Sequence, residues 1–165
     1  MSFRDEALEA NAVYAAGFPV GDRQAPPTRR VAVLACMDAR LRPEDALGLS
    51  LGEAHVIRNA GGRVTDDVVR SLVLSSAVLG TRQAVVIHHT DCGLLGASDA
   101  ALRARVTQVT GEDVGDLGFL PFDDAHGALI DDVRAIENDR RLTFGSVNGF
   151  LYDVTTGRLR EVSPG

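Results

Sequence analysis

Two cysteines, Cys36 and Cys92, are the only thiols in 165 residues. Each sits beside other groups able to do chemistry. Cys36 opens "CMDAR", which places Asp38 and Arg40 two and four residues on. Cys92 closes "HHTDC", which places His89 three residues and His88 four residues before it. Cysteine sulfur and histidine nitrogen are the donors that a tetrahedral zinc takes. His-x-x-Cys across a tight turn can aim both side chains at one point, and His88 to Cys92 is a spacing a helix could also serve. Neighbouring residues of an extended strand face opposite sides. Only one of the two histidines can therefore share the metal with Cys92 without distortion, and the spacing favours His89.

Three protein ligands leave a fourth position open, the arrangement of a catalytic zinc with water in that place. No third cysteine exists to close the site. His55 and His126 are the remaining histidines, and ordinary strand-end or surface positions are expected for both. Asp38 and Arg40 share a face of an extended segment. Arginine beside a carboxylate keeps it ionised. Such a carboxylate can orient a metal-bound water, or bind the metal itself and shut the site. Asp91 is expected to face solvent or cap its turn.

The elements that must position these groups alternate. Strands are predicted at 30–36, at 54–62, where the run ends in glycines, and at 83–90. Helices are predicted at 5–16, 65–80, 98–111 and 123–139. Thr65 can cap the second of these, Asp66 and Asp67 suit its positive end, and Gly80 can stop it. Val69, Leu72, Val73, Ser76 and Leu79 form its stripe. Residues 147–162 alternate around "TTG" and read as a terminal hairpin. Strands alternating with helices predict an α/β fold, with a central mostly parallel sheet flanked by helices. In such sheets ligands bind at the carboxyl ends of strands. Both cysteines fall at such ends.

The gross numbers bound the rest. The length suits one domain, 1–165. A net charge of −6 and a pI near 5.1 disfavour nucleic acid and anionic membrane as partners. No run is apolar enough to span a membrane, and the start lacks the pattern of a signal peptide, so the expected compartment is the cytoplasm. "NAGG" at 59–62 carries no dinucleotide or phosphate-loop pattern. Its glycines are expected to let the backbone pass close to the metal pocket. The Pro-rich stretch 19–30 separates the first helix from the remainder, and residues 1–28 are expected to pack on a partner subunit.

"CMDAR", "RNAGG" and "HHTDCG", in that order, resemble the β-class carbonic anhydrases, most closely the short bacterial members. The resemblance runs from about residue 30 to 95 and continues more loosely into "GFLYDVTTGRL". It implies Cys36, His89 and Cys92 as ligands of one Zn²⁺ per chain, settling His89 over His88. It implies Asp38 and Arg40 as the catalytic dyad beside the fourth position, reversible hydration of CO₂ to bicarbonate, and a homodimer or homotetramer. Ala39 stands where the family often has Ser, and His88 where it often has Gly. Two thiolates offset the metal's charge, so activity is expected to rise toward alkaline pH. Hydrolysis of carbonyl sulfide or carbon disulfide at the same zinc site is the alternative. A non-catalytic zinc or thiol redox sensor is a further one, which would leave the Asp38–Arg40 pair without a task.

Overall fold

The structure is a computed structural model that describes residues 1–19, 21 and 24–163. Five strands form one sheet: β1 (Val31–Cys36), β2 (Ala54–Asn59), β3 (Gln83–His89), β4 (Ser146–Tyr152) and β5 (Leu159–Val162). Their order is β2-β1-β3-β4-β5. The first four run parallel, and β5 returns antiparallel from β4 as the expected hairpin. β1 lies inside the sheet, between β2 and β3, and five of its six residues are buried. That explains its unbroken apolar run, since a central parallel strand is covered on both faces.

The helices are α1 (Phe3–Ala16), α2 (Pro43–Leu47), α3 (Asp66–Val73), α4 (Asp99–Thr110) and α5 (Ala125–Asn138). On one face of the sheet, Val68 and Leu72 of α3 and Leu129, Val133 and Ile136 of α5 pack on Ala32, Leu34, Ala84 and Val86. On the other face, Val33, Ala35 and Ile87 pack with Leu41, Cys92 and Phe122. This second face is less completely covered, and Val31, Val85 and Phe150 are only half buried there. α1 contributes no buried residue to either layer. It begins two residues earlier than the sequence suggests, because Ser2 and Asp5 form a reciprocal capping box.

Three differences from the sequence reading have physical causes. α2 was not expected: it is five residues long and buries only Pro43, too little to leave a periodic pattern. The expected run 54–62 is strand only to Asn59, and Ala60–Gly62 turn as a 3₁₀ segment. The expected helix 65–80 keeps α geometry only to Val73 and then widens into a π turn, Leu74–Val78. The wider turn brings Ser75 and Ser76 both inward, where they are buried. Ser75 Oγ meets Thr81 Oγ1 and His55 Nδ1, each at 2.8 Å. Thr65 caps α3 as expected, accepting from the Val68 N–H. Within the Pro-rich stretch, residues 20, 22 and 23 lie outside the described residues.

Candidate metal centre

β1 and β3 are adjacent and parallel, so their carboxyl ends lie side by side. That places Cys36, the last residue of β1, next to the end of the strand that carries both histidines. Successive residues of β3 alternate: Ala84 and Val86 face α3 and α5, whereas Ile87 joins the opposite layer. His88 follows the first set and His89 the second. After His89 the chain turns at Asp91, whose φ is 54°, and Cys92 comes back toward the strand end. Ligand atoms of Cys36, His89 and Cys92 all lie within 4.8 Å of one another, and all three residues are buried. Among the described residues this is the only group of three or more possible ligands gathered in that way. His55 is engaged by Ser75, and His126 is exposed on the first turn of α5; neither joins the cluster.

The donor set fits a metal. His89 Nδ1 contacts the Thr90 carbonyl oxygen at 2.8 Å, so it carries the proton and donates it there. The lone pair is thereby left on Nε2. Nε2 is buried and has no hydrogen-bond partner. An orphaned acceptor beside two buried sulfurs is a costly arrangement unless something fills it. The two thiols lean on each other. Cys36 is held well below the ordinary thiol range, first by a hydrogen bond from Cys92, with further help from the backbone of Asp38 and Gly61, while burial opposes the shift. Cys92 is pushed up by the same contact and by burial. A dication between the two sulfurs would displace the thiol protons.

The loop after Cys36 is fixed by groups that are distant in sequence. Arg58 of β2 donates from Nε to the Cys36 carbonyl at 3.0 Å and from Nη2 to the Asp38 carbonyl at 2.6 Å. The Asn59 side chain brackets Arg63, donating to its carbonyl at 2.8 Å and accepting from its N–H at 3.0 Å. The intervening glycines press on the site. A Cβ at Gly62 would stand 2.9 Å from the Cys36 nitrogen and 3.0 Å from the Ile87 oxygen, and one at Gly61 would stand 2.7 Å from Leu94 Cδ1. Both glycines also have positive φ, 77° and 67°. At Gly62 the close atoms are backbone, so a side chain there would have to move the strand ends, whereas at Gly61 they belong to the Leu94 and Arg63 side chains and the positive φ is what favours glycine.

Asp38 and Arg40 stand at the edge of the cluster. Arg40 donates from its backbone N–H and from Nε to Asp38 Oδ1, at 2.8 and 3.0 Å, and from Nη2 to Oδ2 at 2.8 Å. This guanidinium fork and backbone N–H hold the Asp38 carboxyl far below the usual carboxylate range. Asp38 Oδ2 is also 3.9 Å from His89 Nε2. The carboxylate is therefore turned to Arg40 yet remains within reach of the metal position. Arg40 has a second acidic neighbour that the sequence did not reveal. Its Nη1 reaches Asp91 Oδ2 at 2.7 Å and its Nη2 the Asp91 carbonyl at 2.9 Å. Asp91 does face solvent, but it is also an anchor.

The comparisons with known proteins agree with this geometry. The family model described as carbonic anhydrase matches residues 31–117. β-Carbonic anhydrase 1 of Mycobacterium tuberculosis is 43% identical over 171 residues, covering 99% of this chain and 100% of that protein. The chain belongs to the β-carbonic anhydrases. A solved carbonic anhydrase from Streptococcus mutans superposes with a TM-score of 0.92 at 43% identity, covering 99% of each chain. A carbon disulfide hydrolase of Acidithiobacillus thiooxidans is 33% identical over 156 residues, covering 82% of this chain and 78% of that protein.

In this β-carbonic anhydrase His88 is not a spare ligand. It is wholly buried, and its ring stacks at 5.7 Å between centroids on Phe122, a member of the cysteine-side cluster. Its Nε2 and Arg63 Nε converge on Asp132 Oδ2 of α5 at 3.0 and 2.7 Å, close polar contacts whose angles fall short of hydrogen bonds. Asp132 Oδ1 accepts the Val64 N–H at 2.9 Å. The segment that carries the glycines is thus tied to α5. No helix among the described residues is long and apolar enough to cross a membrane.

Proposed function

We propose that Cys36, His89 and Cys92 hold one zinc ion and that Asp38 and Arg40 serve it in the reversible hydration of CO₂ to bicarbonate and a proton. The observation that carries this reading is the buried, partnerless His89 Nε2 facing two cysteines, with an ionised Asp38 beside it. Zinc with three protein ligands acidifies water and so supplies a nucleophile near working pH. Asp38, kept anionic by Arg40, can only accept a hydrogen bond, so it fixes the orientation of the attacking water. Arg40 holds the carboxylate turned away from the metal position. Leu41, Ile87 and Phe122 pack in the same apolar cluster as Cys36 and Cys92, so the ligands sit in apolar surroundings. The reaction joins CO₂ and H₂O to give bicarbonate and a proton.

Similarity to the carbon disulfide hydrolase supports the second reading, hydrolysis of carbon disulfide or carbonyl sulfide at the same ligands. The ligand set serves either chemistry, so the two are separated by assay. Parallel rates with CO₂, carbonyl sulfide and carbon disulfide test the proposal. CO₂ hydration far above the other two is expected; the reverse order would overturn it.

The same reading includes a second copy of the chain. Phe3, Leu8 and Val13 of α1 are exposed apolar residues on a helix with no buried face, and the second sheet face is incompletely covered. α1 packing on a partner in a homodimer or homotetramer would cover both. Two unpaired cysteines held as ligands suit a reducing compartment, the cytoplasm.

A further inference from the structure

The Asp38–Arg40 pair is served by a third residue. The Arg40 guanidinium is shared between Asp38, two residues before it, and Asp91, 51 residues after it. Nε points only to Asp38, Nη1 only to Asp91, and Nη2 to both, through Asp38 Oδ2 and the Asp91 carbonyl. Every nitrogen of the fork is therefore used. A planar guanidinium tied on two edges is fixed in orientation, whereas one tied on a single edge swings together with its partner. Asp91 also lies between His89 and Cys92 in the chain, so its bond to Arg40 ties the β3 turn to the loop that follows Cys36. The Asp91 side chain is 79% exposed and lies outside the buried ligand cluster. Its contact with the site runs through Arg40.

We propose that Asp91 is a positioning residue that holds Arg40, and through it the Asp38 carboxylate, in the orientation that leaves the metal's fourth position open. This rests on the reading of Asp38 and Arg40 given under Proposed function. The backbone offers a clean test. Asp91 has φ 54°, in the left-handed region, where glycine is unstrained and asparagine is well tolerated. Asp91→Gly therefore deletes the carboxylate while easing the turn and keeping the carbonyl that also binds Arg40.

The test compares the zinc-loaded chain carrying Asp91→Gly, Asp91→Asn, Arg40→Ala and the Arg40→Ala, Asp91→Gly double substitution. Zinc content, melting temperature, kcat for CO₂ and the NMR order parameter of the Arg40 Nε–H group are measured. For Asp91→Gly, full zinc and an unchanged or higher melting temperature are expected. With them, a kcat about two- to fivefold lower, the range that an exposed ion pair can carry, and a more mobile Arg40 are expected. Asp91→Asn should fall between Asp91→Gly and the wild type. In the Arg40→Ala background, Asp91→Gly should change kcat no further. An unchanged kcat or an equally rigid Arg40 in Asp91→Gly would overturn the proposal, and so would an equal drop in the Arg40→Ala background. Full activity of Arg40→Ala itself would instead overturn the reading of the dyad.

Discussion

His88 and Asp132 meet at 3.0 Å on the side of the sheet away from the cysteines. Arg63 reaches the same carboxylate oxygen at 2.7 Å, and Asp132 is 4% exposed. The contact joins three places: the end of β3, the glycine segment and α5. Removing one member of a buried charged group leaves the others without compensation. Asp132→Ala should therefore destabilise the chain by about 3 kcal/mol. Urea unfolding measures this, and a midpoint within error of the wild type would show that the group contributes nothing net.

Gly62 carries a separate prediction, because both space and backbone oppose a side chain there. Its φ is 67°, and an added Cβ would press on the Cys36 nitrogen at 2.9 Å. Gly62→Ala should cost more than about 1 kcal/mol, the level at which backbone strain alone acts. It should also weaken zinc retention, because Cys36 must move. Competition with a chromogenic chelator measures the second effect. Wild-type stability and retention together would refute the close approach.

Asp38 and Arg40 divide from the ligands in a way that mutation can separate. Asp38→Asn and Arg40→Ala leave Cys36, His89 and Cys92 in place, so zinc content should stay near one per chain while turnover falls at least tenfold. Cys92→Ser should lose the zinc as well. Turnover close to wild type in a zinc-replete Asp38→Asn chain would remove the carboxylate from the mechanism.

The caps of α5 give a pH dependence. Asp124 accepts the Gly127 and His126 N–H groups at the start of α5, and these bonds, the Gly127 one foremost, hold its pKa below the ordinary carboxylate value. Asp139 follows the last turn and is brought down to about 2 by the Arg141 side chain and backbone N–H. Both groups are depressed in the folded state. Their contribution is thus complete above the unfolded value of about 3.9 and is lost as pH falls through the folded values. Melting temperatures of the wild type and of Asp124→Ala should differ most at neutral pH and converge toward pH 2. A gap that widens on acidification would contradict this.

What could be read from the sequence depended on how local each signal is. β1 and β3 were legible because a buried parallel strand is a continuous apolar run, and their polar ends marked the side where ligands gather. Strand-end logic brought Cys36 together with the His-x-x-Cys turn and alternation allowed one histidine per face, while the spacing favoured His89 and the family resemblance settled it over His88. The partners of the site were not legible. Arg58 reaches the Asp38 carbonyl across 20 residues, Asp91 meets Arg40 across 51, and Asp132 meets Val64 across 68. No periodicity or spacing encodes such pairs. The break in the helix after Val73 was likewise hidden, because the stripe of Val69, Leu72, Val73, Ser76 and Leu79 keeps a helical period straight through it.

The central claim is that the three ligands hold a catalytic zinc that hydrates CO₂. Zinc content by plasma emission, measured on the same sample as stopped-flow CO₂ hydration from neutral to alkaline pH, tests it most directly. One zinc per chain is predicted, with a rate that climbs toward alkaline pH because two thiolates make the site's water less acidic than one on three neutral ligands. Full zinc occupancy with no CO₂ hydration at any pH in that range would contradict the account.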